Sequence, residues 1–133
     1  MATKKASKTN QILEKKILAP SITMYKLYVP DIARKVKAGQ FVVVRGDDMG
    51  ERIPLTVADY DAKKGTITII FQEVGTSTQK LAKFEAGMAL LDVVGPLGKP
   101  SHIEKFGTVV CVGGGVGVAP VLPIAKALKE AGN

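Results

Sequence analysis

"RIPLTVADYDAKKGTITIIFQEV", residues 52–74, decides how the rest of the chain reads. Two apolar-rich runs, 52–61 and 65–74, flank the turn "DAKKG", and Thr66, Ile67, Thr68 and Ile69 alternate polar with apolar. Alternation at period two lays one side of a strand on a core, and a polar, glycine-bearing break between two such runs is a hairpin. Working outward, "QILEKKIL" (11–18) and "SITMYKLYV" (21–29) are two more strands, split at Ala19-Pro20, and "GQFVVVRG" (39–46) is another. "TSTQKLAKF" (76–84) has the hydroxyl cap and the Leu81/Phe84 spacing of a short helix. "GMALLDVVGPLGKP" (87–100) returns to strand and closes with a Gly-Pro turn. Six closely spaced strands with one short helix inserted late predict a mainly β fold, a small six-stranded antiparallel barrel. Pro20, Pro30 and Pro54 are then expected at strand ends or edges, where a missing N–H does least harm.

At 133 residues the chain fits one domain able to bury a core unaided. It is 46% hydrophobic and 23% charged, the balance of a globular protein. No apolar run approaches the roughly 18 residues that a membrane span needs. The start, "MATKKASKTNQ", lacks the apolar core of a signal peptide, so a cytoplasmic location is expected. One cysteine, Cys111, and one histidine, His102, exclude an internal disulfide and an iron–sulfur cluster or structural zinc held by this chain alone. Cys111 lies in an apolar run and reads as core; His102, in the polar "GKPSHIEK", reads as surface. Much of the net charge of +7 is local: Lys4, Lys5, Lys8, Lys15 and Lys16 fall in the first 16 residues, and 1–10 reads as a flexible basic tail. With Phe 4, Tyr 3 and Trp 0, the stacking platforms of single-strand binders are not evident. A basic β-barrel that binds nucleic acid is the alternative reading, with retention on polyanions that falls steeply with salt.

From about residue 105 the architecture changes. "GTVVCVGGG" (107–115) has consecutive apolar residues, the pattern of a buried strand in a parallel sheet. "VAPVLPIAKALKEAG" (118–132) is a helix with Val118, Val121, Leu122, Ala125 and Leu128 along one face. That face has no complete sheet to cover, so docking on the barrel or on a second copy, as a homodimer, is expected. The loop between them departs from the dinucleotide fingerprint, running Gly115-x-Gly117-x-x-Pro120 with proline at the third glycine position. Glycines still allow close backbone approach, a helix N-terminus favours an anion, and Pro120 gives up an N–H orphaned in any case. A glycine-rich turn serving packing alone is the other reading. A ribose-reading acid about 20 positions on, and the second strand of a unit of about 30 residues, would fall beyond Asn133. The segment therefore reads as the first β–α unit of a truncated α/β nucleotide-binding domain.

Two further stretches carry anion chemistry. Arg52 stands at the start of the hairpin strand with Pro54 and Thr56, and Gly75, Thr76, Ser77 and Thr78 stand at a helix N-terminus. Arginine holds phosphate through a rigid fork, and glycine with the following amides forms an anion nest. Each also reads simply as an exposed strand residue or a helix cap. In this order, followed by "VGPLG" and "GGGVGVAP", they resemble the ferredoxin–NADP reductase superfamily from about residue 11 to the end. The resemblance is greatest to the branch of the dihydroorotate dehydrogenase electron-transfer subunit and the small subunit of NADH-dependent ferredoxin–NADP oxidoreductase (sulfide dehydrogenase-like), where the "RIPLTV" form is typical.

The resemblance implies a Greek-key FAD-binding barrel over 11–104 and the start of an NAD(P)-binding domain over 105–133. It implies that Arg52 neutralises the FAD pyrophosphate, that Thr56 sits near flavin N5, and that Pro54 and Leu55 shape the wall against the ring. Ile70 and Phe71 would run beside the ribityl and adenosine portions, and Gly75, Thr76, Ser77 and Thr78 would serve the phosphates. Gly113, Gly114, Gly115, Gly117 and Pro120 would border the nicotinamide. Flavin would take a hydride from NAD(P)H and pass electrons singly to an iron–sulfur centre. A [2Fe–2S] cluster would belong to a C-terminal part outside this chain, a catalytic partner subunit is implied, and the fragment alone would be inactive. A third reading keeps the glycine loop as a phosphate site without flavin.

Overall fold

The computed structural model describes residues 6–133, so Lys4 and Lys5 of the expected tail lie outside the described residues. Six strands follow in chain order: β1 (Gln11–Ala19), β2 (Ile22–Tyr28), β3 (Phe41–Arg45), β4 (Ile53–Asp61), β5 (Thr66–Gln72) and β6 (Asp92–Leu97). Three α-helices accompany them: α1 (Pro30–Lys35), α2 (Thr76–Leu81) and α3 (Val118–Glu130), the last preceded by a 3-10 turn at Gly115–Gly117. The strands lie in the order β1-β2-β5-β4-β3-β6, and every pairing is antiparallel. β6, β3, β4 and β5 side by side form a Greek key, whose long return connection carries α2. Closure comes from residues 87–90, which turn back onto β1. Ile12 N donates to Met88 O at 2.8 Å, Gly87 N to Ile12 O at 2.7 Å and Leu90 N to Asn10 O at 3.0 Å. This is the mainly β barrel that the alternation predicts.

The core follows from the period of two. Thr23, Tyr25 and Leu27 point inward from β2, Val42 and Val44 from β3, and Ile67, Ile69 and Phe71 from β5. The hairpin turns match their sequences: Pro20 and Ser21 alone join β1 to β2, with Ser21 at φ 60. At the β4–β5 turn, Asp61 Oδ1 accepts from Lys63 N and Lys64 N, both at 3.0 Å, and Gly65 takes φ 69. Gly95-Pro96 lies within β6 rather than in a closing turn, and its peptide bond is cis.

Three expectations need correction. The barrel carries two helices, not one. α1 begins with Pro30, holds Asp31 in its first turn and Arg34 and Lys35 in its last, and buries Ile32 and Ala33 in the core. Its six residues are too few to show a helical period. Second, residues 107–114 form no strand, and Val110 and Val112 are 82% and 85% exposed. A parallel-type strand exists only through ladder partners on both sides, and among the described residues none lies beside it. Cys111 is therefore exposed rather than core. Third, α3 turns a different face inward: it packs on β4 through Ala119, Pro123 and Leu128, while Val118 and Leu122 face outward. Lys126 pairs with Asp59 of β4 at 3.4 Å at the exposed margin of that contact.

α2 is held by its C-terminal carbonyls, the groups a helix leaves unpaired. The hydroxyl of fully buried Tyr25 lies 2.6 Å from Leu81 O and 2.9 Å from Phe84 O, and Lys15 Nζ donates to Ala82 O at 2.7 Å. Lys15 also pairs with Glu85 at 2.9 Å.

Burial raises the Tyr25 phenol well above its ordinary range, with the Glu85 and Glu73 carboxylates adding to the effect. The folded state thus keeps this phenol neutral while the unfolded chain ionises at about pH 10. The stabilisation is complete below that pH and is lost as the pH rises above it. Tyr25→Phe removes the hydroxyl that reaches Leu81 O and Phe84 O and is expected to cost about 1–2 kcal/mol. Urea unfolding at about pH 8 and about pH 11 should show the difference between wild type and variant shrinking at the higher value.

Candidate functional site

The site begins where two strands part. β4 and β5 pair at Asp61↔Thr66, Tyr60↔Ile67, Asp59↔Thr68 and Val57↔Ile69, with a bulge between Val57 and Asp59. Beyond that last pair they share no ladder. Ile53 to Thr56 pair only with β3, and Ile70 to Gln72 pair only with β2. Each strand therefore presents one edge of backbone N–H and C=O groups to the gap, except at Pro54, which has no N–H to leave unpaired. Val57 N, at the point of parting, continues the β3–β4 ladder by donating to Gln40 O at 3.1 Å.

A cavity of about 430 Å³ fills this gap. Pro54, Leu55 and Thr56 form one side and Ile70 and Phe71 the other, while Thr78 of α2 and Gly117 and Pro120 at the start of α3 border it. Eight of the residues singled out from the sequence thus meet at one place. The Phe71 ring itself packs in the core against Tyr25, centroids 5.4 Å apart, and its backbone is paired with β2, so it only borders the cavity. Ile53, Gln72, Val74, Val116 and Ala119 complete the lining and were not anticipated. Alternation along β4 and β5 marks Gln72 as outward-facing, but nothing local says that a neighbouring strand has left.

The remaining candidates lie elsewhere. Thr76 and Ser77 line a second, smaller cavity of about 120 Å³ under the β3–β4 loop, and Ser77 Oγ donates to the Glu51 carboxylate. Arg52 is exposed, stands directly before Ile53, a residue shared by both cavities, and has no ion-pair partner among the described residues. Thr78 Oγ1 caps its own helix, accepting from Val74 N at 3.0 Å and Gly75 N at 3.2 Å. Gly115 lines an apolar groove with Leu18 and Leu122, and Gly113 and Gly114 line neither cavity.

The glycines sort by what the fold itself requires. Gly115 takes φ +57, which favours glycine, and a Cβ on Gly113 would lie 3.2 Å from Val118 Cα. Gly75 at φ −161, Gly114 at φ −133 and Gly117 at φ −64 have backbones that any residue adopts, and a Cβ on each would meet nothing within 4 Å. Neither conformation nor packing within the chain calls for glycine at these three positions. Open space beside an unpaired backbone edge is what a closely approaching ligand uses. Among the described residues no group of three or more His, Cys, Asp or Glu is placed to hold a metal ion.

No protein-family profile matches the chain. It is 48% identical over 124 residues to the dihydroorotate dehydrogenase B (NAD(+)) electron transfer subunit homolog of Thermotoga maritima, covering 93% of this chain and 44% of that protein. It is 34% identical over 97 residues to the corresponding electron transfer subunit of Clostridium acetobutylicum, covering 72% and 39%. Among solved structures, one of the NADH-dependent reduced ferredoxin–NADP oxidoreductase, described in terms of flavin-based electron bifurcation, superposes with a TM-score of 0.95 at 45% identity, over 98% of this chain and 47% of that one. Phthalate dioxygenase reductase, at 21% identity and a TM-score of 0.77 over 92% and 39%, shares the fold. The chain's homologues are thus dihydroorotate dehydrogenase electron-transfer subunits and the ferredoxin–NADP oxidoreductase, and its barrel is of the ferredoxin-reductase type. It spans less than half the length of these relatives, 44% of the Thermotoga maritima protein and 47% of the ferredoxin–NADP oxidoreductase chain.

The glycine sorting has a direct consequence for stability. Gly114→Ala and Gly117→Ala are expected to leave the melting temperature unchanged or slightly raised, by up to about 1 kcal/mol in stability. Gly113→Ala, which crowds Val118 Cα, should lower it. Thermal unfolding of the three variants checks the ranking.

Proposed function

We propose that the gap between β4 and β5 holds FAD, and that the chain works within the electron-transfer subunit of an oxidoreductase. That subunit passes electrons between NAD(P)H and an iron–sulfur centre or a catalytic partner subunit. The observation that carries the reading is the parting of β4 from β5: two unpaired backbone edges face a cavity of about 430 Å³, within the range of cofactor sites. Gly117, which borders the cavity and has open space where a Cβ would stand, supports it.

On this reading residues 11–104 form the flavin barrel and 105–133 begin a nucleotide domain. Pro54 and Leu55 present an apolar wall to the ring, and Thr56 offers a hydroxyl donor at its edge. The backbone of Ile70 and Gln72 supplies donors and acceptors from the opposite side. Arg52, with no internal partner among the described residues, is free to hold the pyrophosphate, and the first-turn amides of Thr76 to Thr78 share that charge. Gly117 and Pro120 let the nucleotide face approach without side-chain bulk. When bound, FAD supplies hydride acceptance and single-electron release, chemistry that needs no nucleophile or general base from the protein.

Titration of the purified chain with FAD, followed by flavin fluorescence, is expected to show saturable quenching. Arg52→Ala should weaken binding by about tenfold or more, with Arg52→Lys intermediate and the melting temperature unchanged. Unaltered affinity in Arg52→Ala would contradict the assigned role.

A further inference from the structure

We infer that Gln40 is a positioning residue for the flavin ring: from outside the cavity it fixes the reach of the Thr56 hydroxyl. The inference rests on the flavin reading above. Gln40 is 9% exposed and is the only buried amide side chain among the described residues. Burying an amide is unfavourable unless its groups are bonded, and here they are bonded in two directions. Oε1 accepts from Lys37 N and Nε2 donates to Gly98 O, both at 2.9 Å. Gln40 N in turn donates to Lys37 O at 3.2 Å, so the turn 37–40 is closed from both sides. Gly39, at φ +93, lets that turn lie against the segment after β6. Ser101 N donates to Ala38 O at 2.9 Å, and a Cβ on Gly39 would fall 2.8 Å from Ser101 N.

The turn matters to the cavity because of where β3 starts. Phe41 pairs with Thr56, and Gln40 O accepts from Val57 N at 3.1 Å. In an antiparallel pair alternate residues bond to the neighbouring strand, so Val57 N turns to β3 and the backbone of Thr56 turns to the gap. Thr56 is therefore held through its neighbours. On its C-terminal side the last bond to β3 is the one from Val57 N to Gln40 O. A ladder frays at its ends, and Gln40 stands at this one. The side-chain bonds to Lys37 N and Gly98 O anchor the residue whose carbonyl makes that bond. Gln40 lines neither cavity, whereas Thr56 borders the larger one, so any effect of Gln40 on a bound ring passes through Thr56.

The test uses the whole chain with FAD that carries an NMR-active nitrogen at N5, and reads both the affinity and the N5 resonance at saturation. Thr56→Val removes the hydroxyl at nearly constant shape and should move that resonance. Gln40→Met keeps the side chain's length and loses both of its bonds; it should weaken FAD by about tenfold and move N5 in the same direction. The two changes combined should move N5 no further than Thr56→Val alone. Tyr25→Phe, which removes a buried hydroxyl elsewhere in the barrel, should leave N5 in place. Gln40→Glu keeps the acceptor for Lys37 N, and its carboxyl donates to Gly98 O only when protonated. That variant should match wild type at low pH and lose the match as the pH rises, which gives the same reading if Gln40→Met does not fold. An N5 resonance unmoved by Thr56→Val or by Gln40→Met, or shifts of the two that add, would overturn the inference while leaving the flavin reading intact. A wild type that binds no FAD would overturn both.

Discussion

The ladder between β4 and β5 ends at Val57↔Ile69, and the rest of the molecule is arranged around that ending. Two strands of one hairpin would ordinarily stay paired, because a backbone edge without partners must be satisfied by something else. Here each is committed to its other neighbour: Ile53 to Thr56 by β3, and Ile70 to Gln72 by β2. Closing the gap would break one of those ladders or shift its register, and a shift of one residue turns a strand's core side chains outward. The bulge after Val57 and the bond from Val57 N to Gln40 O keep the parting at one place.

The helices then turn the gap into a cavity. α2 is clamped at its C-terminus by Tyr25 and Lys15, from β2 and β1, so the opposite end of a six-residue helix is held against the mouth. α3 is set on β4 by Ala119, Pro123 and the Lys126–Asp59 pair, which brings Gly117 and Pro120 to the remaining side. Packing contacts away from the gap thus determine where polar groups of the site stand.

Much of this was legible in the sequence where the signal is local. Alternation in "TITI", the Pro20-Ser21 and Asp61–Gly65 turns, and the hydroxyls after Gly75 led to the right strands and to α2. Arg52 and the residues from Pro54 to Thr56 were visible as a motif, and the structure brings the latter three to the cavity. What could not be read is non-local. The parting of β4 from β5 depends on the registers of β2 and β3, which no single stretch encodes. The apolar run Val109 to Val112 carries a strand's pattern, but pattern becomes strand only beside a partner. The buried face of α3 is not marked in the sequence, because Val118 and Leu122 are as apolar as the face that docks. α1 was too short to announce itself.

The central claim is that the unpaired edges of β4 and β5 receive the flavin through their backbone. Hydrogen–deuterium exchange of the chain with and without saturating FAD measures those amides directly. The account expects slowed exchange at Thr56, at Ile70 and Gln72 and around Gly75 to Thr78, with β1 unchanged. Protection confined to residues 113–117, or absent from both strand edges at saturation, would contradict it.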